Sequence, residues 1–118
     1  MRVLFIDDDL ITAEWVSIFL NSKNIETRTV DSIPAAISCL NEWIPDLIVS
    51  DLNLRGQHAV ELVEYLARGN GMNNIPVIAV TGSELDTSEK EKFRGYLKKP
   101  VQAESLYQLI LDLAGRVS

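Results

Sequence analysis

Four short apolar runs in this chain each lead into a residue that carries a charge or a hydroxyl. Val3-Leu4-Phe5-Ile6 runs into Asp7 and Asp8, Leu47-Ile48-Val49-Ser50 into Asp51, Val77-Ile78-Ala79-Val80 into Thr81, and Tyr96-Leu97 into Lys98 and Lys99. Runs this short and apolar read as strands, and the stretches between them carry helical spacing. Strands that alternate with helices pair in parallel through right-handed crossovers, which covers both faces of the sheet. An open sheet of this kind receives ligands outside the carboxyl ends of its strands. If the four runs share one sheet, three carboxylates, a hydroxyl and an ammonium meet at one edge, a place suited to a divalent cation and a phosphoryl group.

The periodicity predicts strands near 2–6, 25–30, 47–50, 76–80 and 95–98. Those at 47–50 and 76–80 are apolar on both faces, as buried parallel strands are, whereas 25–30 alternates and suits an edge. Helices are expected over 10–22, 33–43, 58–68, 86–93 and 103–115. The first turns Trp15, Val16, Phe19 and Leu20 inward and leaves Ile11 and Ile18 on another side. The second buries Ile33, Ile37 and Leu40 and tolerates Pro34 in its first turn. Gly69-Asn70-Gly71 is expected to end the third. The fourth is short and charged, with Leu85 before it and Phe93 at its end as the apolar anchors. The last has a core stripe of Leu106, Leu109, Ile110 and Leu113, a second stripe of Tyr107, Leu111 and Ala114 that could form a contact surface, and a stop at Gly115. No repeat, low-complexity tract or long linker divides the 118 residues, so residues 1–118 are expected to form one domain.

Composition narrows the partners. A net charge of −6 and a pI near 4.7 argue against a nucleic-acid or anionic-membrane surface, since both need clustered Lys and Arg. Proteins and cations are the expected partners. The single Cys39 excludes an internal disulfide, and its neighbours Ile37 and Leu40 predict a small buried side chain. Only four apolar residues precede the acids Asp7-Asp8-Asp9, too few for a signal peptide or a membrane span. The expectation is a soluble, cytoplasmic chain.

The ordered set Asp7-Asp8, Asp51, Thr81-Gly82 and Lys99-Pro100 resembles the receiver domain of two-component response regulators over essentially the whole chain. The gaps are 44 residues from Asp7 to Asp51, 30 from Asp51 to Thr81 and 18 from Thr81 to Lys99. The resemblance implies a doubly wound, five-stranded parallel sheet in the flavodoxin-like order 2-1-3-4-5, with helices on both faces. It implies a phosphoacceptor switch rather than an enzyme with an external substrate, supplied by a histidine kinase or phosphotransfer protein. Asp51 would be the acceptor. Mg²⁺ would be held by Asp8, Asp51 and the backbone carbonyl of Asn53, with Asp7 acting mainly through water. Lys99 would hold a phosphoryl oxygen as a point charge and Thr81 would hydrogen-bond another. Thr81 and Tyr96 would form the switch, and the peptide before Pro100 would be cis. The first helix, with Ile11 and Ile18, would meet the donor; the fourth helix, fifth strand and fifth helix would meet the target or a second copy in a phosphorylation-dependent dimer.

Some residues depart from the family pattern. Arg55 stands where a proline is usual and Ala59 where a glycine is common, which predicts a more mobile loop after Asp51. The stretch from Thr81 to Lys99 is shorter than usual by roughly one helical turn, so the fourth helix should be short. His58, the single histidine, reads as a surface residue. Asn53 and Ser83 flank the acceptor and the Thr81 loop as small polar groups that leave access for hydrolytic water. Two rival readings remain. Asp7-Asp8-Asp9-Leu10-Ile11 resembles the nucleophile motif of haloacid dehalogenase-type phosphatases, with Asp7 as nucleophile and Asp9 as acid. The other rival is a receiver-like interaction module that never carries phosphate.

Overall fold

The computed structural model describes residues 1–68, 71, 72 and 74–117, the last two by their backbone alone. Five parallel strands form its sheet: β1 (Arg2–Ile6), β2 (Glu26–Val30), β3 (Leu47–Asp51), β6 (Val77–Thr81) and β7 (Gly95–Lys98). Their spatial order is β2-β1-β3-β6-β7, which is the expected 2-1-3-4-5 once the five are counted in sequence. The switch point lies between β1 and β3, whose connections leave towards opposite sides. A two-stranded antiparallel hairpin of β4 (Asn53–Leu54) and β5 (Gln57–His58) stands apart from the sheet.

Successive residues of a strand point to opposite faces, so each strand feeds two cores. Val3, Phe5, Leu47, Val49, Ile78 and Val80 face α1 (Leu10–Ser22) and α5 (Ala103–Val117), which contribute Val16, Leu20, Leu106 and Ile110. Leu4, Ile6, Ile48, Val77 and Ala79 face α2 (Ile33–Leu40) and α3 (Val60–Leu66), which contribute Ile33, Ala36, Leu40, Leu62 and Leu66. All five residues of β3 and all five of β6 are buried, whereas none of β2 is, so the predicted central and edge strands stand where their patterns put them. Local signals set the helix starts. Asp9 caps α1 by accepting from the backbone N–H groups of Ile11 and Thr12, and Ser32 caps α2 by accepting from that of Ala35.

Several predicted boundaries shift for identifiable reasons. α2 stops at Leu40, and Trp43 beyond it folds back into the core, where its indole N–H donates to Glu26. α3 starts at Val60 rather than 58 because Gln57 and His58 belong to the hairpin. It ends at Leu66, and the Gly69-Asn70 part of its predicted stop lies outside the described residues. α5 continues through Gly115 to Val117. Cys39 is half-buried rather than buried, since it sits at the edge of the α2 face. The second stripe of α5 is divided: Tyr107 packs edge-on against Phe19 of α1, while Leu111 stays exposed.

α4 (Thr87–Lys92) has six residues and buries none of them. It is held at its ends, where Leu85 and Phe93 sink into the α2–α3 core. A reciprocal capping box starts it, with the Asp86 carboxylate accepting from the Glu89 N–H and the Glu89 carboxylate accepting from the Asp86 N–H.

Candidate functional site

The buried polar and charged side chains among the described residues are Asp7, Ser50, Asp51 and Thr81. Three of these four were singled out in the sequence, and all three stand at carboxyl ends of neighbouring strands. Asp51 is the last residue of β3 and Thr81 the last of β6. Asp7 follows β1, its N–H bound to the Val30 carbonyl of β2 at 3.1 Å. Lys99 follows β7, its N–H bound to the Thr81 carbonyl at 2.8 Å, and the Lys99–Pro100 peptide is cis. Backbone pairing therefore fixes the root of each of these side chains.

Carboxylate oxygens of Asp7, Asp8 and Asp51 lie within 4.8 Å of one another. The acid triplet of the sequence thus divides by task. Asp9 is exposed and spent on the helix cap, where the Thr12 hydroxyl and backbone hold its carboxyl below the usual range. Asp7 is buried, and its pKa is pushed up to about 6 by that burial, with the neighbouring Asp51 charge adding to the rise and the Asp9 N–H opposing it. The Lys99 Nζ sits 2.9 Å from Asp51 Oδ1. Partial burial pulls the Lys99 ammonium down, but Asp51, with Asp7 and Asp8 further off, outweighs it and holds the pKa above the ordinary lysine value. Asp51 Oδ1 has this charge neighbour but no hydrogen-bond partner, although it is buried. A buried carboxylate beside two further carboxylates is a hard, all-oxygen donor set, and it fits Mg²⁺.

Thr81 and Tyr96 each have contacts within their own part of the fold. The Thr81 hydroxyl lies 3.2 Å from the Ser83 carbonyl and accepts from the Ser83 N–H at 3.1 Å, so its bonds are spent within its own loop. Tyr96 is 42% exposed, and its ring lies under the Lys90 ammonium of α4 at 5.3 Å. Lys98, beside Lys99, pairs with Glu84 rather than with the acids.

The loop after Asp51 forms the β4–β5 hairpin. Leu52 N–H binds Val80, Ala59 N–H binds Leu52, and between them the hairpin pairs Asn53 with His58 and Leu54 with Gln57. Arg55 and Gly56 have φ of +44° and +84°. Positive φ at both central residues is what a two-residue type I′ turn requires. Proline, fixed near −65°, could not occupy the Arg55 position of this turn. Asn53 opens this hairpin, two residues after Asp51, and is exposed. His58 is half-buried: its Nδ1 accepts from the Val60 N–H and its Nε2 lies 3.0 Å from Glu89, tying the hairpin to α4. Arg55 lies 3.7 Å from Asp8. Neither contact was foreseen, because each joins residues far apart in sequence that carry no motif.

The family model for the response regulator receiver domain matches residues 3–111. The chain is 27% identical over 124 residues to the phosphate regulon transcriptional regulatory protein PhoB of Escherichia coli, covering 99% of this chain and 53% of that one. It thus spans about half the length of the curated relatives it matches. Among solved structures, a two-component response regulator from Clostridium difficile superposes with a TM-score of 0.88 at 22% identity, covering 100% and 98% of the two chains. The chemotaxis response regulator CheY4 of Vibrio cholerae superposes at 0.83 and 23% identity, covering 94% and 96%. The chain belongs to the response regulator receiver domain family. Members of that family are switches in two-component signalling that hold Mg²⁺ in an acidic pocket, and the carboxylates of Asp7, Asp8 and Asp51 form an acidic cluster here.

Proposed function

We propose that residues 1–118 act as one receiver domain that takes a phosphoryl group onto Asp51 from the phosphohistidine of a histidine kinase or phosphotransfer protein. The observation that carries this reading is the buried Asp51 carboxylate, clustered with those of Asp7 and Asp8 and with Lys99 Nζ 2.9 Å from its Oδ1. An Asp51 oxygen attacks phosphorus and forms the acyl phosphate, while the bond from phosphorus to the donor imidazole breaks and its electron pair stays on that ring. The protein's contribution is positioning and charge neutralisation. Asp8, Asp51 and the Asn53 carbonyl hold Mg²⁺, with Asp7 acting through water, and the ion when bound offsets charge on the phosphoryl oxygens. Lys99 offsets more of it from a backbone fixed to Thr81. Thr81 exchanges its Ser83 contacts for a phosphoryl oxygen, and Tyr96 leaves Lys90 to follow the vacated space. Asn53 and Ser83 leave hydrolytic water access, so the phosphate turns over.

The net charge of −6 favours protein partners over nucleic acid for this domain. No helix among the described residues is long and apolar enough to cross a membrane, which is compatible with a cytoplasmic setting. The exposed Ile11 and Ile18 of α1 suit a donor domain, and α4, β7 and α5 suit a target or a second copy. The phosphohydrolase rival loses its acid, because the Asp9 carboxylate is committed to capping α1. Incubation with Mg²⁺ and acetyl phosphate, followed by mass spectrometry of peptides and sedimentation of the intact protein, tests the reading. One phosphoryl group on the Asp51 peptide, absent from Asp51→Asn, is expected; sustained turnover of a generic phosphate ester would establish the rival instead.

A further inference from the structure

We propose that Arg55 is a tethered competitor for the cation site, a guanidinium whose charge opposes Mg²⁺ at Asp8. This rests on the reading of Asp7, Asp8 and Asp51 as the metal site. Arg55 occupies the first central position of the type I′ turn, with φ of +44°, a conformation that favours Asn, Asp or Gly over a long side chain. Backbone preference therefore does not account for an arginine there. Fold stability does not account for it either, since the side chain is 73% exposed and an ion pair so open to solvent contributes little. What the position does is carry a positive charge from the hairpin to the acid edge, where Arg55 Nε lies 3.7 Å from Asp8 Oδ2.

The two carboxylates assigned to hold the metal directly are thus each matched with a cation. Lys99 engages Asp51 and has a task once phosphate arrives. Arg55 stands 3.7 Å from Asp8, outside hydrogen-bond length, so its guanidinium opposes a cation at that carboxylate through charge. The guanidinium supplies in the metal-free fold part of the positive charge that three clustered carboxylates demand, and it raises the Mg²⁺ concentration needed to load the site. Loading in turn frees the hairpin tip from the acid edge.

Mg²⁺ titration followed by Trp15 fluorescence and by calorimetry tests this, since Trp15 lines the cleft shared by Asp7, Asp8 and Lys99. Arg55→Asn is the informative variant, because Asn-Gly is a favoured type I′ pair and the hairpin is kept. It is expected to bind Mg²⁺ about three- to tenfold more tightly than the wild type at low salt, the size of effect expected on removing one screened charge beside a divalent ion. Arg55→Lys should stay close to the wild type. Lys98→Gln, which removes an exposed charge paired to Glu84, should change the affinity by less than about twofold, the ordinary effect of a solvent-screened charge already neutralised by a partner. An unchanged or weaker affinity in Arg55→Asn would overturn the proposal, as would equal tightening in Lys98→Gln, which would make the effect one of net charge. Equal Mg²⁺ binding by wild type and Asp8→Asn would instead overturn the metal-site reading beneath it.

Discussion

The acid edge of the sheet and the α4–β7 segment are joined by the Lys99 N–H to Thr81 carbonyl bond, yet they are built by opposite means. β3 and β6 bury every residue and carry Asp51 and Thr81 at their last positions. α4 buries none of its six residues and is held by Leu85, Phe93, a capping box and the His58–Glu89 contact. Close-packed strands hold charged groups at fixed separations against their mutual repulsion, as phosphoryl chemistry requires. A polar helix that buries none of its residues and is held by a few contacts has less apolar surface to lose when it shifts. The comparison teaches that precision and adaptability can be assigned to neighbouring elements of one small sheet by how much apolar surface each buries.

The sharpest contrast is in stability. Ile48→Ala, which empties a fully buried site in β3 facing α2 and α3, is expected to cost about 2–5 kcal/mol by the usual large-to-small range, read as a lower midpoint of urea unfolding. Solution pH acts next, through Asp7. Its pKa of about 6 in the fold lies above the ordinary 3.8, so between those values the folded state binds more protons than the unfolded. Stability of the metal-free protein is therefore expected to fall as pH rises through this window, by on the order of 3 kcal/mol once it is crossed. Unfolding midpoints in chelator across pH 4–8 check the sign, and Mg²⁺ should restore stability mainly above pH 6. Lys99→Ala should slow acyl phosphate formation about a hundredfold, the usual loss on removing one group that stabilises a developing oxyanion, with Mg²⁺ binding retained. Asp86→Ala should cost only about 1 kcal/mol, the typical value of an N-cap. The loss should appear as faster amide exchange confined to α4, and its spread into β6 would erase the contrast.

The same division decided what could be read from the sequence. A strand buried on both faces leaves an apolar run, and a polar residue at its end closes that run, so the strands expected at 47–50 and 76–80 were legible to within a residue of Leu47–Asp51 and Val77–Thr81. Asp7 and Asp8 could be separated from Asp9 only through the resemblance, because all three suit a helix start. The hairpin was missed: its strands have two residues each, and Arg-Gly is not a usual type I′ pair. Trp43, His58 and Glu89 were illegible for another reason. Their partners lie 17 and 31 residues away, with no periodic pattern to join them. Cys39 shows the limit of neighbour-based burial, because Ile37 beside it is itself only partly buried at the rim of α2.

Amide hydrogen exchange resolved by residue, in Mg²⁺ with and without acetyl phosphate, tests most directly whether a fixed acid edge drives a compliant reader. The account predicts altered exchange concentrated between Thr81 and Lys98, unchanged protection in β1 and β3, and no response in Asp51→Asn. Changes spread evenly through the sheet, or a response that survives in Asp51→Asn, would contradict it.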